Sequence, residues 1–164
     1  MVQGNLELEN VRLIFRNFSG KQTKYNRAGA RNFCVVIDDP EVAQNLANDG
    51  WNIKVLRPRD EDDTPTHYLT VAVSFDNFPP NVFMVTRNNK VRLDEDSIDT
   101  LDDADIKSAD LIIRPYNWEI QDRDGVKSGV KAYLKTGYIC IEEDAFADKY
   151  RRGPEISDDE MPFN

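Results

Sequence analysis

Asn10-Val11-Arg12-Leu13-Ile14-Phe15-Arg16-Asn17-Phe18-Ser19-Gly20 is answered further along the chain by Arg31-Asn32-Phe33-Cys34-Val35-Val36-Ile37. Both segments are rich in β-branched and aromatic residues, and a polar span carrying Gly20 and Gly29 separates them. This pattern predicts strands over Asn5 to Phe18 and Arg31 to Ile37, paired as a hairpin with a long loop from Ser19 to Ala30. In a regular strand Leu13 and Phe15 share one face, and Arg12, Ile14 and Arg16 the other.

Outward from the hairpin, Asp39-Pro40-Glu41 opens a helix. Asp39 can cap it, Pro40 suits the first helical position, and Glu41 complements the dipole. Val42 and Leu46 lie one turn apart, and Gly50 stops the helix. A short strand, Trp51 to Leu56, ends before Pro58. His67 to Phe75 alternates as a strand, Pro79-Pro80 breaks the chain, and Val82 to Thr86 is extended again. Asp96 to Asp103 predicts a short helix with Ile98 and Leu101 inward. Ala109 to Ile120 and Gly129 to Glu142 are the last strands, joined by the turn Gln121-Asp122-Arg123-Asp124-Gly125. Pro115 cannot donate to a ladder, so its strand is an edge or carries a bulge. The fold class is mainly β with two short helices, β or α+β.

A chain of 164 residues suits one domain with a short appendage. No apolar run approaches the roughly 20 residues of a membrane span, and the first residues lack a signal-peptide pattern, so a cytoplasmic protein is expected. Cys34, Cys140 and His67 are too few and too scattered for a zinc site. Both thiols are expected to be buried and inert, and no metal or cofactor is expected.

The net charge of −9, from 30 acids and 21 bases, argues by itself against a phosphate-bearing partner. The charge is segregated, however. Between Asn10 and Ile37 there is no Asp or Glu, while Arg12, Arg16, Lys21, Lys24, Arg27 and Arg31 alternate with Phe15, Phe18, Tyr25 and Phe33. Cations follow a nucleic-acid backbone and rings stack on unpaired bases, so this segment is a candidate single-strand surface. The bland alternative makes the rings core and the cations a solvated loop. Arg114, Tyr116, Trp118, Lys131, Tyr133 and Lys135 form a second candidate, alternating along the last two strands. Its alternative is a half-solvated sheet covered by lysine stems.

The acids run elsewhere: Asp60 to Asp63, Asp94 to Asp110, and Glu142-Glu143-Asp144. Solvated faces explain them more simply than the Mg²⁺ cage of a nuclease. No nucleophile elbow, P-loop or positioned base is present, so a binding protein is expected rather than an enzyme. An acidic interaction protein or DNA mimic is the alternative, and it leaves the acid-free segment unexplained.

After Gly153-Pro154 the chain reads Glu155-Ile156-Ser157-Asp158-Asp159-Glu160-Met161-Pro162-Phe163-Asn164. Its composition predicts a disordered tail. Asp158, Asp159, Glu160, Met161, Pro162 and Phe163 resemble the acidic tip of bacterial single-stranded DNA-binding proteins, which docks into basic, apolar pockets on repair and replication proteins. That family ends on the phenylalanine, whereas Asn164 follows Phe163 here. The body is similar instead to a phage family of single-stranded DNA-binding proteins with OB folds. The resemblance lies in residues 10–20, Arg31-Asn32-Phe33, Gly50-Trp51-Asn52-Ile53-Lys54, Leu111-Ile112-Ile113-Arg114-Pro115-Tyr116 and Gly129-Val130-Lys131-Ala132-Tyr133-Leu134. It implies an OB-like five-stranded barrel with additional strands and loops over residues 1–152, and an acidic tail over 153–164. It further implies sequence-independent single-stranded DNA binding without catalysis. The role would be support of replication or recombination in the host cytoplasm, with replication and recombination proteins recruited by the tail. Whether the chain forms a homo-oligomer is left open.

Overall fold

The structure is a computed structural model that describes residues 2–58, 64–76 and 78–142. The acids Asp60 to Asp63, Glu143 and Asp144, and the tail from Glu155 to Asn164, lie outside the described residues. Eight strands and two helices follow in the order β1 (Leu6–Asn17), β2 (Arg31–Ile37), α1 (Pro40–Asp49), β3 (Ile53–Leu56), β4 (Thr66–Val73), β5 (Asn81–Val85), β6 (Lys90–Leu93), α2 (Thr100–Asp103), β7 (Ile106–Asp122) and β8 (Gly125–Ile141).

Five of the strands close a barrel. β1 pairs with β2 and β7, β2 with β4, and β7 with β8. A short parallel pairing of Val71 with Ala132 and Ala72 with Tyr133 joins β4 to β8 and completes the ring. β3 extends the sheet beyond β4, while β5 and β6 extend it beyond the second half of β8. β6 was not expected from the sequence; it returns along β5 through a turn closed by the Thr86 amide donating to the Asn89 carbonyl at 2.8 Å.

One apolar core fills the barrel, built from Phe33, Val35 and Ile37 of β2, Leu69, Val71 and Val73 of β4, and Leu111, Ile113, Ala132 and Leu134 of β7 and β8. α1 forms as its capping residues dictate: the Asp39 carboxylate accepts from the Glu41 amide at 2.9 Å, and Gly50 ends it with φ 113°. Its inward residues are Ala43 and Leu46, which join Val2 and Trp51 in the core. Val42 instead faces solvent, because a ten-residue helix turns only a narrow stripe inward. Pro115 pairs with Ala132 two residues past Ile113, the last residue of β7 in register with β1. It therefore sits where β7 has left its second neighbour, just beyond a register shift at Ile112 and Ile113.

β1 carries two irregularities that shape the site. Its register shifts between Leu8 and Val11 and again between Ile14 and Asn17. At these points Asn10 and Phe15 adopt φ 53° and 51°. The first bulge lets the strand pass from β7 to β2. The second turns the Phe15 ring outward, so Phe15 is 58% exposed while Leu13 stays in the core. The expected shared face for Leu13 and Phe15 fails for this reason: a bulge inserts one residue and reverses the alternation. Among the described residues no helix is long and apolar enough to cross a membrane, and no three His, Cys, Asp or Glu side chains gather to hold a metal.

Candidate nucleic-acid interface

Side chains alternate across a sheet, so the residues between the core positions of β2 and β4 project from the outer wall. Three rows cross that wall. Arg12, Val36, Tyr68 and Lys54 lie in register along the first, and Ile14, Cys34 and Thr70 along the second. Asn17, Asn32, Ala72, Tyr133 and Arg114 form the third. Cys34 Sγ lies 3.4 Å from Thr70 Oγ1. Burial pushes the Cys34 thiol up, partly offset by that hydrogen bond and by Lys54. The thiol is thus a neutral part of the floor. Cys140 is half-buried rather than buried.

From the third row, β7 and β8 run on as a two-stranded arm to the turn at Asp122–Gly125. Cross-strand partners on one arm face are Arg114 with Tyr133, Tyr116 with Lys131, Trp118 with Gly129, and Ile120 with Lys127. The alternation read from the sequence therefore places rings and cations on one surface. Arg114 sits between two rings, with its guanidinium carbon 5.2 Å from the Tyr133 centroid and 5.1 Å from that of Phe78. Lys131 Nζ lies 5.2 Å from the Tyr133 centroid, and Tyr116 meets Tyr133 edge-on at 6.1 Å. Lys135 is exposed and is the extra residue of β8 at the register shift, away from this ladder.

A second aromatic pair stands on the wall. Phe15 and Tyr68 meet edge-to-face with centroids 6.0 Å apart. A left-handed backbone under a bulky aromatic costs of order 1–3 kcal/mol, and such strain concentrates at functional positions. Phe78 and Tyr68 did not stand out in the sequence. Phe78 is 71% exposed immediately before Pro79-Pro80, and a large ring in a proline loop was the available signal.

The basic segment divides. Phe18 and Phe33 are fully buried and stack on each other at 5.1 Å, so they are core residues and not base platforms. Arg16 is committed to the fold: its Nη1 donates to the carbonyls of Leu101 and Ala104 at 2.8 and 2.6 Å, satisfying the end of α2. The Asp102 carboxylate in turn accepts from the amides of Phe18 and Ser19 at 2.6 and 3.0 Å. Arg31 is half-buried, 3.9 Å from Glu95 and stacked on Phe75 at 5.6 Å. Arg12 faces Asp38 across 3.8 Å in solvent, a pairing worth little.

Lys21, Lys24, Tyr25 and Arg27 remain exposed on the β1–β2 loop. This loop has defined geometry: the Asn26 side-chain amide donates to the carbonyls of Lys21, Arg27 and Ala30, and the Gly29 amide donates to the Gly20 carbonyl at 2.8 Å. Tyr25 is 91% exposed at the tip, with Lys24 Nζ 5.8 Å from its centroid. The surface thus offers rings and cations on a wall flanked by a basic loop and a long arm. That is the layout on which OB folds bind oligonucleotides.

The solved structures place this fold. The chain matches the single-stranded DNA-binding protein from bacteriophage Enc34 with TM-score 0.52 and 12% identity, covering 87% of this chain and 84% of that one. The same Enc34 protein in complex with ssDNA gives TM-score 0.53 at 12% identity, covering 87% and 89%. At this identity the likeness is one of fold. No curated protein matches the chain in sequence. The family model of the phage ssDNA-binding domain matches residues 1–163, and the chain belongs to that family.

Proposed function

We propose that this protein binds single-stranded DNA without sequence preference and without catalysis, in the host cytoplasm where phage DNA is copied. The observation that carries the reading is the ladder of Arg114, Tyr116, Trp118, Lys131 and Tyr133 on one face of the β7–β8 arm, continuous with the β2–β4 wall. Cations take phosphates, and rings take any base because every base has a π-face. Phe15, Tyr68 and Phe78 add rings, and Lys21, Lys24, Tyr25, Arg27 and Arg12 line the approach. Residues 1–152 form the binding domain in this reading. A titration of labelled single-stranded oligonucleotide at several salt concentrations, with duplex as competitor, tests it. The expected result is a slope of about −0.7 in log K against log salt for each phosphate neutralised, with duplex the weaker ligand. Equal affinity for duplex would overturn it.

Residues 153–164 are proposed to recruit replication or recombination proteins. The support is their sequence: Asp158, Asp159 and Glu160 steer toward a basic rim, with Met161, Pro162 and Phe163 as apolar anchors. Removing Glu155 to Asn164 takes the net charge from −9 to −5. This truncation should raise DNA affinity modestly at low salt, because an acidic segment competes with phosphates for the same cations. Phe163→Ala should abolish partner capture while leaving DNA affinity unchanged; identical partner sets from the intact and Phe163→Ala proteins would make the tail a solubilising appendage.

A further inference from the structure

Where the arm leaves the barrel, a pocket of about 220 Å³ opens among Asn52, Lys54, Thr70, Ala72, Trp118 and Lys131. We propose that it receives a single unstacked nucleobase, with Trp118 as its stacking wall and Gly129 as the positioning residue that seats Trp118. This rests on the single-stranded DNA reading above; it adds Asn52 to the site and gives Lys54 and Ala72 of the wall a defined role there.

The volume falls below the roughly 300–1,000 Å³ of drug-sized sites, which suits one planar ring rather than a stacked run. The chemistry of the lining fits a base. Ala72 and Thr70 are small and leave the floor open, Trp118 presents a flat π-surface, and the Asn52 amide both donates and accepts toward a base edge. Lys54 and Lys131 belong to the same lining, and their ammonium groups would serve the phosphates on either side. An amide that can do both, beside a π-wall, tolerates all four bases, as binding without sequence preference requires.

The wall depends on a missing side chain. Trp118 and Gly129 are cross-strand partners. A Cβ built on Gly129 would stand 2.6 Å from Trp118 Cζ2 and 2.8 Å from Cε2. The indole therefore lies flat across the glycine, and any other residue there would push the ring aside. The clash is with the end of a side chain on an exposed arm, so the ring moves and the fold survives. Gly129 has no positive φ, so backbone freedom does not explain it.

The test uses the full chain with Trp51→Phe, which leaves Trp118 as the only indole of the two in the sequence. Its emission is followed while an oligothymidylate, or an abasic oligonucleotide of equal length, is added. Thymidylate should quench Trp118 and the abasic strand should not. Gly129→Ala should shift the emission of the free protein. Gly129→Ala and the pocket-filling Ala72→Leu should each weaken thymidylate binding roughly 5- to 150-fold, the range expected for the removal of one base stack, and leave abasic binding unchanged. Full quenching with undiminished thymidylate affinity in both variants would overturn the pocket. Absence of thymidylate binding by the parent protein would overturn the single-stranded DNA reading itself. Should Gly129→Ala fail to fold, Ala72→Leu carries the same comparison by emission, and Trp118→Leu carries it by titration of labelled thymidylate against the labelled abasic strand.

Discussion

The acid-free segment from Asn10 to Ile37 and the β7–β8 arm each offered rings interleaved with cations in the sequence, yet they fold to different ends. In the first, Phe18 and Phe33 became core, Arg16 was committed to the carbonyls of α2, and Arg31 was drawn to Glu95 and Phe75. In the second, Arg114, Tyr116, Trp118, Lys131 and Tyr133 all reached one face. The difference lies in regularity. A straight antiparallel ladder keeps its period of two over many residues, so sequence neighbours two apart become surface neighbours. A strand with two bulges followed by a folded loop does not.

The largest effect belongs to the buried rings: Phe18→Ala or Phe33→Ala should cost about 3–5 kcal/mol of stability, while affinity per folded molecule holds. Chemical denaturation beside a DNA titration separates the two readouts, and a loss of affinity with unchanged stability would return these rings to the interface. On the arm the opposite pattern is expected. Arg114→Ala and Tyr133→Ala should each weaken single-stranded DNA binding by about 1–3 kcal/mol with a small change in melting temperature.

Within the basic segment the cations should part company. Arg16→Ala orphans two carbonyls and should lower stability by roughly 1–3 kcal/mol. Lys21→Ala and Lys24→Ala should leave stability unchanged and flatten the salt dependence by about 0.7 for each phosphate that is no longer neutralised. The smallest effect concerns the thiols: a thiol reagent should modify Cys140 ahead of Cys34 in the native protein, because burial both shields Cys34 and raises its pKa. Equal rates would place Cys34 on an open surface.

Much of the fold was legible because local chemistry stated it. The α1 cap, its Gly50 stop, the Pro79-Pro80 break and the alternation of β4 all act over a few residues. β6 was missed because Lys90-Val91-Arg92-Leu93 is a four-residue strand whose partner, not its composition, makes it extended. The outward turn of Phe15 was illegible because a bulge between Ile14 and Asn17 is set by pairing with β2. On the arm, alternation was sufficient. Phe78 escaped notice because its role comes from Arg114, 36 residues away, which brings it beside Tyr133. The burial of Phe18 could not be told from the exposure of Tyr25 by residue type, since both are rings among cations.

Single-stranded DNA is expected to lie on the β2–β4 wall and the arm face, not on the face where β5 pairs with β8. That β5–β8 face carries its own ring pair, Phe83 stacked on Tyr138 at 5.0 Å with Lys90 over both, and so provides an internal control. The most direct measurement is photocrosslinking of an oligonucleotide containing 5-iododeoxyuridine, followed by identification of the modified residues. Crosslinks are expected at Trp118, Tyr116, Tyr133 or Phe78 on the arm side and at Phe15 or Tyr68 on the wall, with none at Phe83 or Tyr138. Crosslinks confined to Phe83 and Tyr138 would contradict it.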